Sequence, residues 1–253
     1  EKQIIATNID VGFIVQAINR DFSINRLERY LTICHTSKVM PIIVLTKIDL
    51  ISKTELENLI NTISSRINNT TILPISNTTT EGIDNLKSHI KHGKTYCLLG
   101  SSGVGKSSLL NTISGKELMK TGEISEQIDR GKHVTTHREF IVLEDGGIII
   151  DNPGMREVGI TENSEGIEMT FEDILELSKE CRFSDCTHVH EKGCAILAAI
   201  DNNELDIDAY DTYQRMEREK HFFEASLQEK RSKDKAFGKM IRANKKIRKQ
   251  NKF

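Results

Sequence analysis

A glycine-rich segment, GSSGVGKSS, has the residue types and spacing that bind phosphate. It matches the pattern G-x-x-x-x-G-K-[ST], in which glycines let backbone N–H groups surround the phosphates and a following helix N-terminus adds positive potential. Lys106 is expected to reach the outer phosphates and take part in catalysis, and Ser107 to bind Mg²⁺. The predicted nucleotide contacts from this segment are Gly100, Ser101, Ser102, Gly103, Val104, Gly105, Lys106, Ser107 and Ser108.

The segment TKID, which begins at Thr46, is a candidate base-recognition loop. A carboxylate at Asp49 can accept from guanine N1–H and the N2 amine together, whereas adenine lacks that amine and would leave the carboxylate unpaired. Thr46 and Lys47 would line the same site, and the segment LPISNTTTEGI would place Ser76 and Asn77 behind the base. Four residues are also typical of an ordinary turn at a strand end, so this interpretation depends on the other motifs.

The segment IIIDNPG supplies an acid and a glycine suited to the γ-phosphate end of a nucleotide. Asp151 follows an apolar strand, as an acid that holds Mg²⁺ through water should, and Gly154 can bring a backbone N–H to the γ-phosphate. This is the D-x-x-G pattern of a second switch. Between it and the phosphate loop, RGKHVTTHRE offers Thr135 and Thr136 as Mg²⁺ ligands of a first switch, and the sequence does not separate the two.

The position after D-x-x-G holds Met155, where many GTPases have a glutamine that orients water. Methionine cannot polarise water, so we expect slow intrinsic hydrolysis that a partner stimulates. His133, inside the first switch, is the best candidate in the chain for orienting water. The alternative is a histidine with a structural or partner-contacting role.

The motifs occur in the order guanine loop, base-backing loop, phosphate loop, first switch and second switch. This order is a circular permutation of the usual GTPase order. In a doubly wound sheet these loops all lie at the carboxyl edge of the strands, so moving the termini preserves the site. The second switch then leads directly into the C-terminal region, which the γ-phosphate state could move.

Apolar segments of strand length alternate with helical segments over residues 1–160, which we assign to this domain. Strands are predicted for GFIVQAI, PIIVLTKID, TTILPIS and KTYCLLG, and a hairpin or strand pair for REFIVLED and GGIIIDNPG. Helices are predicted for SINRLERYLTICHTS, TELENLINTISSRI, EGIDNLKSHIKHG and KSSLLNTISG. The alternation is typical of an α/β fold with a mostly parallel sheet and helices on both faces.

Three of the five cysteines cluster with histidines in CRFSDCTHVHEKGC. Cys181, Cys186, His188 and Cys194 would make a complete tetrahedral set for one structural Zn²⁺ closed to water. His190 is an alternative ligand, and reduced cysteines without metal are the alternative to a metal site. Helical patterns on either side predict a small, mainly helical zinc-binding domain over residues 161–230.

Charge is distributed unevenly along the chain. Residues 230–253 carry eleven Lys or Arg and one acid, a net charge of +10, while the rest of the chain carries −12. A basic tail, assigned to residues 231–253, favours a polyanion partner such as nucleic acid; a solvated terminus is the alternative. No apolar run approaches the roughly 20 residues of a membrane span, and nothing resembles a signal peptide, so we expect a cytoplasmic protein with no membrane partner.

Seven segments together closely resemble the RsgA (YjeQ/YloQ) family of circularly permuted GTPases, over about residues 1–220. They are IATNIDVGFIVQA, RLERYL, TKIDL, GSSGVGKSSLLN, GKHVTTHRE, DNPGMRE and CRFSDCTHVHEKGCAI. The resemblance implies hydrolysis of GTP to GDP, stimulated by the small ribosomal subunit during its late maturation, with the zinc domain contacting rRNA. It also implies zinc ligation by the cysteine cluster and a place for His133 in the catalytic switch. We expect a monomer.

Three features depart from the family pattern. Family members carry an N-terminal OB-fold, and this chain begins where that domain would end; its absence would weaken subunit binding. Thr46 stands where the usual Asn supports the base pocket, so we expect weaker nucleotide affinity with specificity retained. Val134 stands where the first switch has a Thr, which leaves the Mg²⁺ ligand open.

Three other functions compete with a small-subunit GTPase. A large-subunit assembly factor is disfavoured by the C-terminal Cys/His cluster. A passive RNA-binding zinc module with a vestigial nucleotide site is disfavoured by intact Lys106, Ser107, Asp151 and Gly154. A P-loop ATPase or small-molecule kinase is disfavoured by Asp49.

Overall fold

The computed structural model describes residues 7–19, 22–116, 139–151 and 164–222, together with residues 229 and 232. Its strands are β1 Val11–Ala17, β2 Met40–Thr46, β3 Thr71–Pro74, β4 Thr95–Leu99, β5 Glu139–Val142 and β6 Ile148–Asp151. They form one sheet in the order β3-β2-β1-β4-β6-β5. All paired neighbours are parallel except β5 and β6, which form the hairpin predicted for that segment.

The helices are α1 Ile24–Thr36, α2 Lys53–Arg66, α3 Ile83–Ser88, α4 Lys106–Ser114, α5 Glu165–Thr170, α6 Glu172–Lys179 and α7 Ala195–Asp201, and residues 207–222 form a further helix. The first four of them cover both faces of the sheet. Apolar side chains of α1 and α2 pack on one face, and those of α3 and α4 on the other. The predicted α/β architecture is therefore confirmed.

The central strand β1 explains the continuous apolar run at the start of the chain. All seven of its residues are buried, because parallel strands with helices on both faces have no solvent side. Phe13 faces α3 and α4, where it stacks on Tyr96 with ring centroids 5.2 Å apart. Ile14 faces the opposite way, among Leu27 and Tyr30 of α1.

Helix α3 is shorter than the segment EGIDNLKSHIKHG predicts, since it ends at Ser88. The chain turns there because the buried Tyr96 takes over the backbone hydrogen bonding. Its hydroxyl accepts from the Lys91 N–H at 2.7 Å and donates to the His89 carbonyl at 2.9 Å. This tertiary contact is not visible in the local helical pattern.

The C-terminal helices have an apolar core of their own. It consists of Ile167, Phe171, Ile174, Cys194, Ile196, Tyr210 and Met216. Helix α5 lies directly on α1, where the Thr32 hydroxyl is 3.1 Å from that of Thr170. The domain boundaries predicted at residues 160 and 230 lie outside the described residues. None of the described helices is both long enough and apolar enough to cross a membrane.

Ion pairs hold the C-terminal helices against α1 and α2. Arg29 donates to both carboxylate oxygens of Glu219 at 2.6 and 2.7 Å. Arg66 pairs with Glu28 at 2.8 Å, with both side chains more than nine-tenths buried, and lies 3.5 Å from Asp206. Burial raises the pKa of Glu28 to about 7, against the opposing effect of Arg66. Removing one partner would leave the other charge buried and uncompensated.

Candidate nucleotide-binding site and metal centre

Four strands that lead into predicted site residues end at the same edge of the sheet. They are β2, β3, β4 and β6, whose carboxyl ends are Thr46, Pro74, Leu99 and Asp151. Because these strands run parallel within one sheet, the loops after β2, β3 and β4 converge at a single edge. The structure therefore brings these three loops together, as the sequence predicts, and the segment after Asp151 lies outside the described residues.

The phosphate-loop candidate between β4 and α4 fits tightly against β1. A Cβ at Gly100 would lie 2.3 Å from the carbonyl oxygen of Val15, so a larger residue has no room. Gly105 has a φ of 93° and directly precedes α4. The buried Lys106 ammonium donates to the carbonyl oxygens of Gly100 and Ser101 at 2.7 Å each. Two backbone carbonyls of the loop thus bind the Lys106 ammonium beside the N-terminus of α4.

The guanine-loop candidate begins where β2 ends. Thr46 is fully buried, and its hydroxyl donates to the carbonyl oxygen of Val104 at 2.6 Å, which joins this loop to the phosphate loop. Lys47 has a left-handed backbone, with a φ of 64°, and turns the chain out of the sheet. Asp49 is consequently exposed, so it follows a buried strand without being buried itself.

The base-backing loop after β3 contacts both of these loops. Ser76 is fully buried, and its hydroxyl donates to Asp49 Oδ1 at 2.6 Å while it accepts from two backbone N–H groups of its own loop. The Asn77 amide nitrogen donates to the Gly105 carbonyl at 3.4 Å. A carboxylate offers about four lone-pair sites. The hydrogen bond from Ser76 therefore orients Asp49 and leaves acceptor sites on its carboxylate for other donors.

The switch segments fall largely outside the described residues. The backbone of Asp151 is placed at the end of β6, opposite Leu98 of β4. The first-switch and second-switch residues beyond it stay predictions from the sequence. Those outside the described residues are His133, Val134, Thr135, Thr136, Gly154 and Met155.

Helix α1 supplies a contact to the phosphate loop that sequence reasoning missed. The Tyr30 hydroxyl is hydrogen-bonded to the Ser101 side chain, and burial raises the pKa of this tyrosine. Tyr30 occupies an ordinary core-facing position in the apolar repeat of α1. No local signal in the sequence separates it from its neighbours, because the contact joins segments about seventy residues apart.

The predicted zinc ligands form one compact group. The ligand atoms of Cys181, Cys186, His188 and Cys194 all lie within 4.8 Å of one another. Cys181 Sγ is 3.9 Å from Cys194 Sγ, and His188 Nδ1 is 3.5 and 3.4 Å from those two sulfurs. A tetrahedral Zn²⁺ with bonds of about 2.3 Å to sulfur and 2.0 Å to nitrogen would separate its ligands by roughly 3.5–3.8 Å. His190 is exposed and lies outside the group.

The surrounding backbone is organised to hold this group. Cys194 is the N-cap residue of α7, and its sulfur accepts from the Leu197 N–H at 3.5 Å. Cys181 accepts from the Ala195 N–H at 3.4 Å. Such N–H to sulfur contacts orient the side chains of metal ligands. Nearby, hydrogen bonds from the Thr187 hydroxyl and from backbone N–H groups hold the pKa of Glu191 well below its usual range. The donor set and its spacing fit Zn²⁺.

Comparison with known proteins decides the family. A family model described as RsgA GTPase matches residues 1–161 of the chain. The chain belongs to the RsgA GTPase family. Its similarity to solved RsgA-type structures extends beyond the matched segment. The crystal structure of YjeQ from Thermotoga maritima has a TM-score of 0.62 at 28% identity, covering 84% of this chain and 72% of that one. YloQ, described as a circularly permuted GTPase, has a TM-score of 0.60 at 30% identity, with coverages of 85% and 69%.

Curated relatives of this RsgA-family chain have names that refer to ribosome assembly. The small ribosomal subunit biogenesis GTPase RsgA 1 of Listeria innocua is 46% identical over 220 residues, covering 87% of this chain. The small ribosomal subunit biogenesis GTPase RsgA 2 of Vibrio parahaemolyticus is 40% identical over 242 residues, covering 95% of this chain and 67% of that protein. The chain spans 63% of the length of the Listeria innocua relative.

The fold accounts for the permuted order of an RsgA GTPase. The guanine loop follows β2 and the phosphate loop follows β4, yet β1 alone separates these strands in the sheet. The hydrogen bond from Thr46 to Val104 then spans fifty-eight positions of sequence at a distance of 2.6 Å. Spatial order in the sheet, not order along the chain, thus assembles the site.

Proposed function

We propose that this chain hydrolyses GTP to GDP and phosphate and acts in the late maturation of the small ribosomal subunit. The observation that carries the proposal is the Asp49 carboxylate, oriented by Ser76 at the sheet edge that also presents the phosphate loop. An oriented carboxylate suits the N1–H and N2 donors of guanine, and the neighbouring loop suits phosphates. The names of the curated relatives support the same activity and the same assembly role.

The phosphate-binding part of the site is assigned to the loop before α4. The nucleotide contacts we propose there are residues 100–108, with Lys106 on the outer phosphates. Its ammonium donates to two loop carbonyls beside the N-terminus of α4, where its positive charge would attract the phosphates. Ser107 and Asp151 are the proposed protein groups for Mg²⁺, which neutralises phosphate charge when bound.

The switch residues complete the proposed mechanism. Gly154 would donate its backbone N–H to the γ-phosphate, and either Thr135 or Thr136 would contact Mg²⁺. His133 would orient the attacking water, because Met155 cannot. A site of this kind has a low intrinsic rate, so we propose that the small subunit stimulates it.

The C-terminal region is the proposed rRNA-binding part. Cys181, Cys186, His188 and Cys194 would hold one structural Zn²⁺, which would fix the loops between α6 and α7. The +10 charge of residues 230–253 favours phosphate backbones and a salt-dependent affinity. With a ribosomal partner the protein would act in the cytoplasm, and we propose a monomer.

Asp49→Asn tests the proposed function. The new amide can donate to the carbonyl that xanthine has at position 2, so affinity should move from GDP to xanthosine diphosphate. Asp84→Asn, an exposed change in α3, is the matched control and should leave GDP preference intact. Affinities are measured by isothermal titration calorimetry. Unchanged GDP selectivity in Asp49→Asn would reject Asp49 as the guanine reader, and equal wild-type affinity for ADP and GDP would reject the guanine site.

A further inference from the structure

The donor of Thr46 is already used within the protein. Its single hydroxyl proton is donated to the Val104 carbonyl at 2.6 Å, and the side chain is fully buried. A hydroxyl has one donor, whereas a carboxamide nitrogen has two. The Thr46 side chain therefore joins the two loops and has no donor left for a bound base.

The Asn77 carboxamide lies beside the same stretch of backbone. A Cβ built on Gly105 would be 3.3 Å from Asn77 Nδ2 and 3.8 Å from Thr46 Oγ1, so both groups converge on one glycine. Within the described part of the chain, Asn77 Nδ2 makes one long hydrogen bond of 3.4 Å, and the buried Oδ1 atom makes none. Among the residues that the structure describes, one N–H of this amide thus has no acceptor, and no hydrogen bond to Oδ1 fixes the orientation of the amide.

A bound guanine also offers acceptors at the edge that does not face Asp49, and these need a hydrogen-bond donor from the protein. Its N1–H and N2 groups face a carboxylate, while N7 and O6 on the other edge are acceptors. An acceptor that loses water without gaining a partner weakens binding. Asn77 follows Ser76, which holds Asp49, and it contacts the carbonyl of Gly105 in the phosphate loop. Its amide therefore lies where the base-backing loop meets the phosphate loop, next in sequence to the residue that orients Asp49.

We propose that Asn77 is a specificity-determining residue whose Nδ2 donates to guanine N7, the hydrogen bond for which Thr46 has no donor. This proposal rests on the proposed function, since it names a further contact in the same guanine site. Two roles that a single amide could fill are here divided between two residues. Thr46 joins the guanine loop to the phosphate loop, and Asn77 contacts the base.

A chemical double-mutant cycle tests this contact. GDP and 7-deaza-GDP, which has C–H in place of N7, are titrated into the wild-type chain and into Asn77→Ala, with Asn77→Asp as an isosteric variant lacking the donor. One hydrogen bond corresponds to roughly 2- to 10-fold in affinity. We expect 7-deaza-GDP to bind the wild type that much more weakly, and both variants to bind the two nucleotides equally. Thr79→Ala, an exposed change in the same loop, is the matched control and should keep the wild-type difference.

The outcomes separate this proposal from the guanine site itself. If the wild type prefers GDP to ADP but the 7-deaza penalty persists in Asn77→Ala, Asn77 does not contact N7 and the proposal fails alone. If the wild type binds ADP as well as GDP, the guanine site fails. A second arm adds Thr46→Asn to Asn77→Ala. Recovery of GDP affinity together with the 7-deaza penalty would support a shared amide role, and a further loss of GDP affinity without that penalty would count against it.

Discussion

Gly166→Ala tests whether α5 packs on α1 as closely as the structure shows. A Cβ at Gly166 would lie 2.0 Å from Thr36 Oγ1, 2.5 Å from the Thr32 carbonyl oxygen and 2.8 Å from the Thr36 N atom. The Thr36 hydroxyl can rotate away, but the other two atoms belong to the backbone of α1. The added methyl group therefore requires the two helices to separate.

Two effects of this substitution have opposite signs. Alanine is favoured over glycine inside a helix by about 0.8–1.0 kcal/mol, and somewhat less in a first turn such as that of α5. Forcing a methyl group into a filled contact costs about 1–3 kcal/mol. Since two backbone atoms lie within 3 Å, we expect the upper part of that range, and a net loss of about 1–2 kcal/mol in the free energy of unfolding.

Urea unfolding followed by circular dichroism gives this free energy, because the chain has no tryptophan for fluorescence. Glu165→Ala is the matched control in the same helix turn. Its carboxylate is half exposed and only 4.0 Å from Lys38, so the change should stay within about 0.5 kcal/mol. An increase in stability for Gly166→Ala would show that helix propensity dominates, and would refute the close α1–α5 contact.

The remaining predictions concern pH and metal. Because burial raises the pKa of Glu28 to about 7, the folded state holds this proton more tightly than the unfolded state, where a glutamate titrates near 4.3. The contribution of this proton to the stability of the folded state is complete below the unfolded pKa of about 4.3 and is lost as pH rises through about 7. Glu28→Gln should therefore show a smaller fall in unfolding free energy than the wild type between pH 5 and 8; an equal fall would contradict the assignment. Chelation of metal should increase proteolysis within residues 164–222 while GDP affinity stays unchanged, whereas retained protease resistance would argue against a structural Zn²⁺.

Local pattern was sufficient for most of the fold and for the positions of the site loops. Continuous apolar runs correctly predicted buried parallel strands, because a sheet covered on both faces leaves β1 no solvent side. The spacing of GSSGVGKSS and of the three clustered cysteines depends on local chain geometry, so it could be read without tertiary knowledge. The same is true of Asp49, which follows directly from the end of β2.

Contacts between distant segments could not be predicted in this way. The hydroxyl of Thr46 reaches Val104, and that of Tyr30 reaches Ser101, only because β1 and α1 place those segments side by side. The early end of α3 depends on Tyr96, which belongs to the next strand. Each of these outcomes is decided by packing, which overrides local preference and leaves no periodic signal.

The activity and the partner proposed for this chain can be measured together, as phosphate release from GTP and from ATP with and without purified ribosomal subunits. We expect slow GTP hydrolysis by the chain alone, many-fold stimulation by small subunits, no stimulation by large subunits, and negligible use of ATP. Equal turnover of ATP and GTP would contradict the guanine site built on Asp49. GTP hydrolysis that small subunits leave unchanged would contradict the proposed role in their maturation.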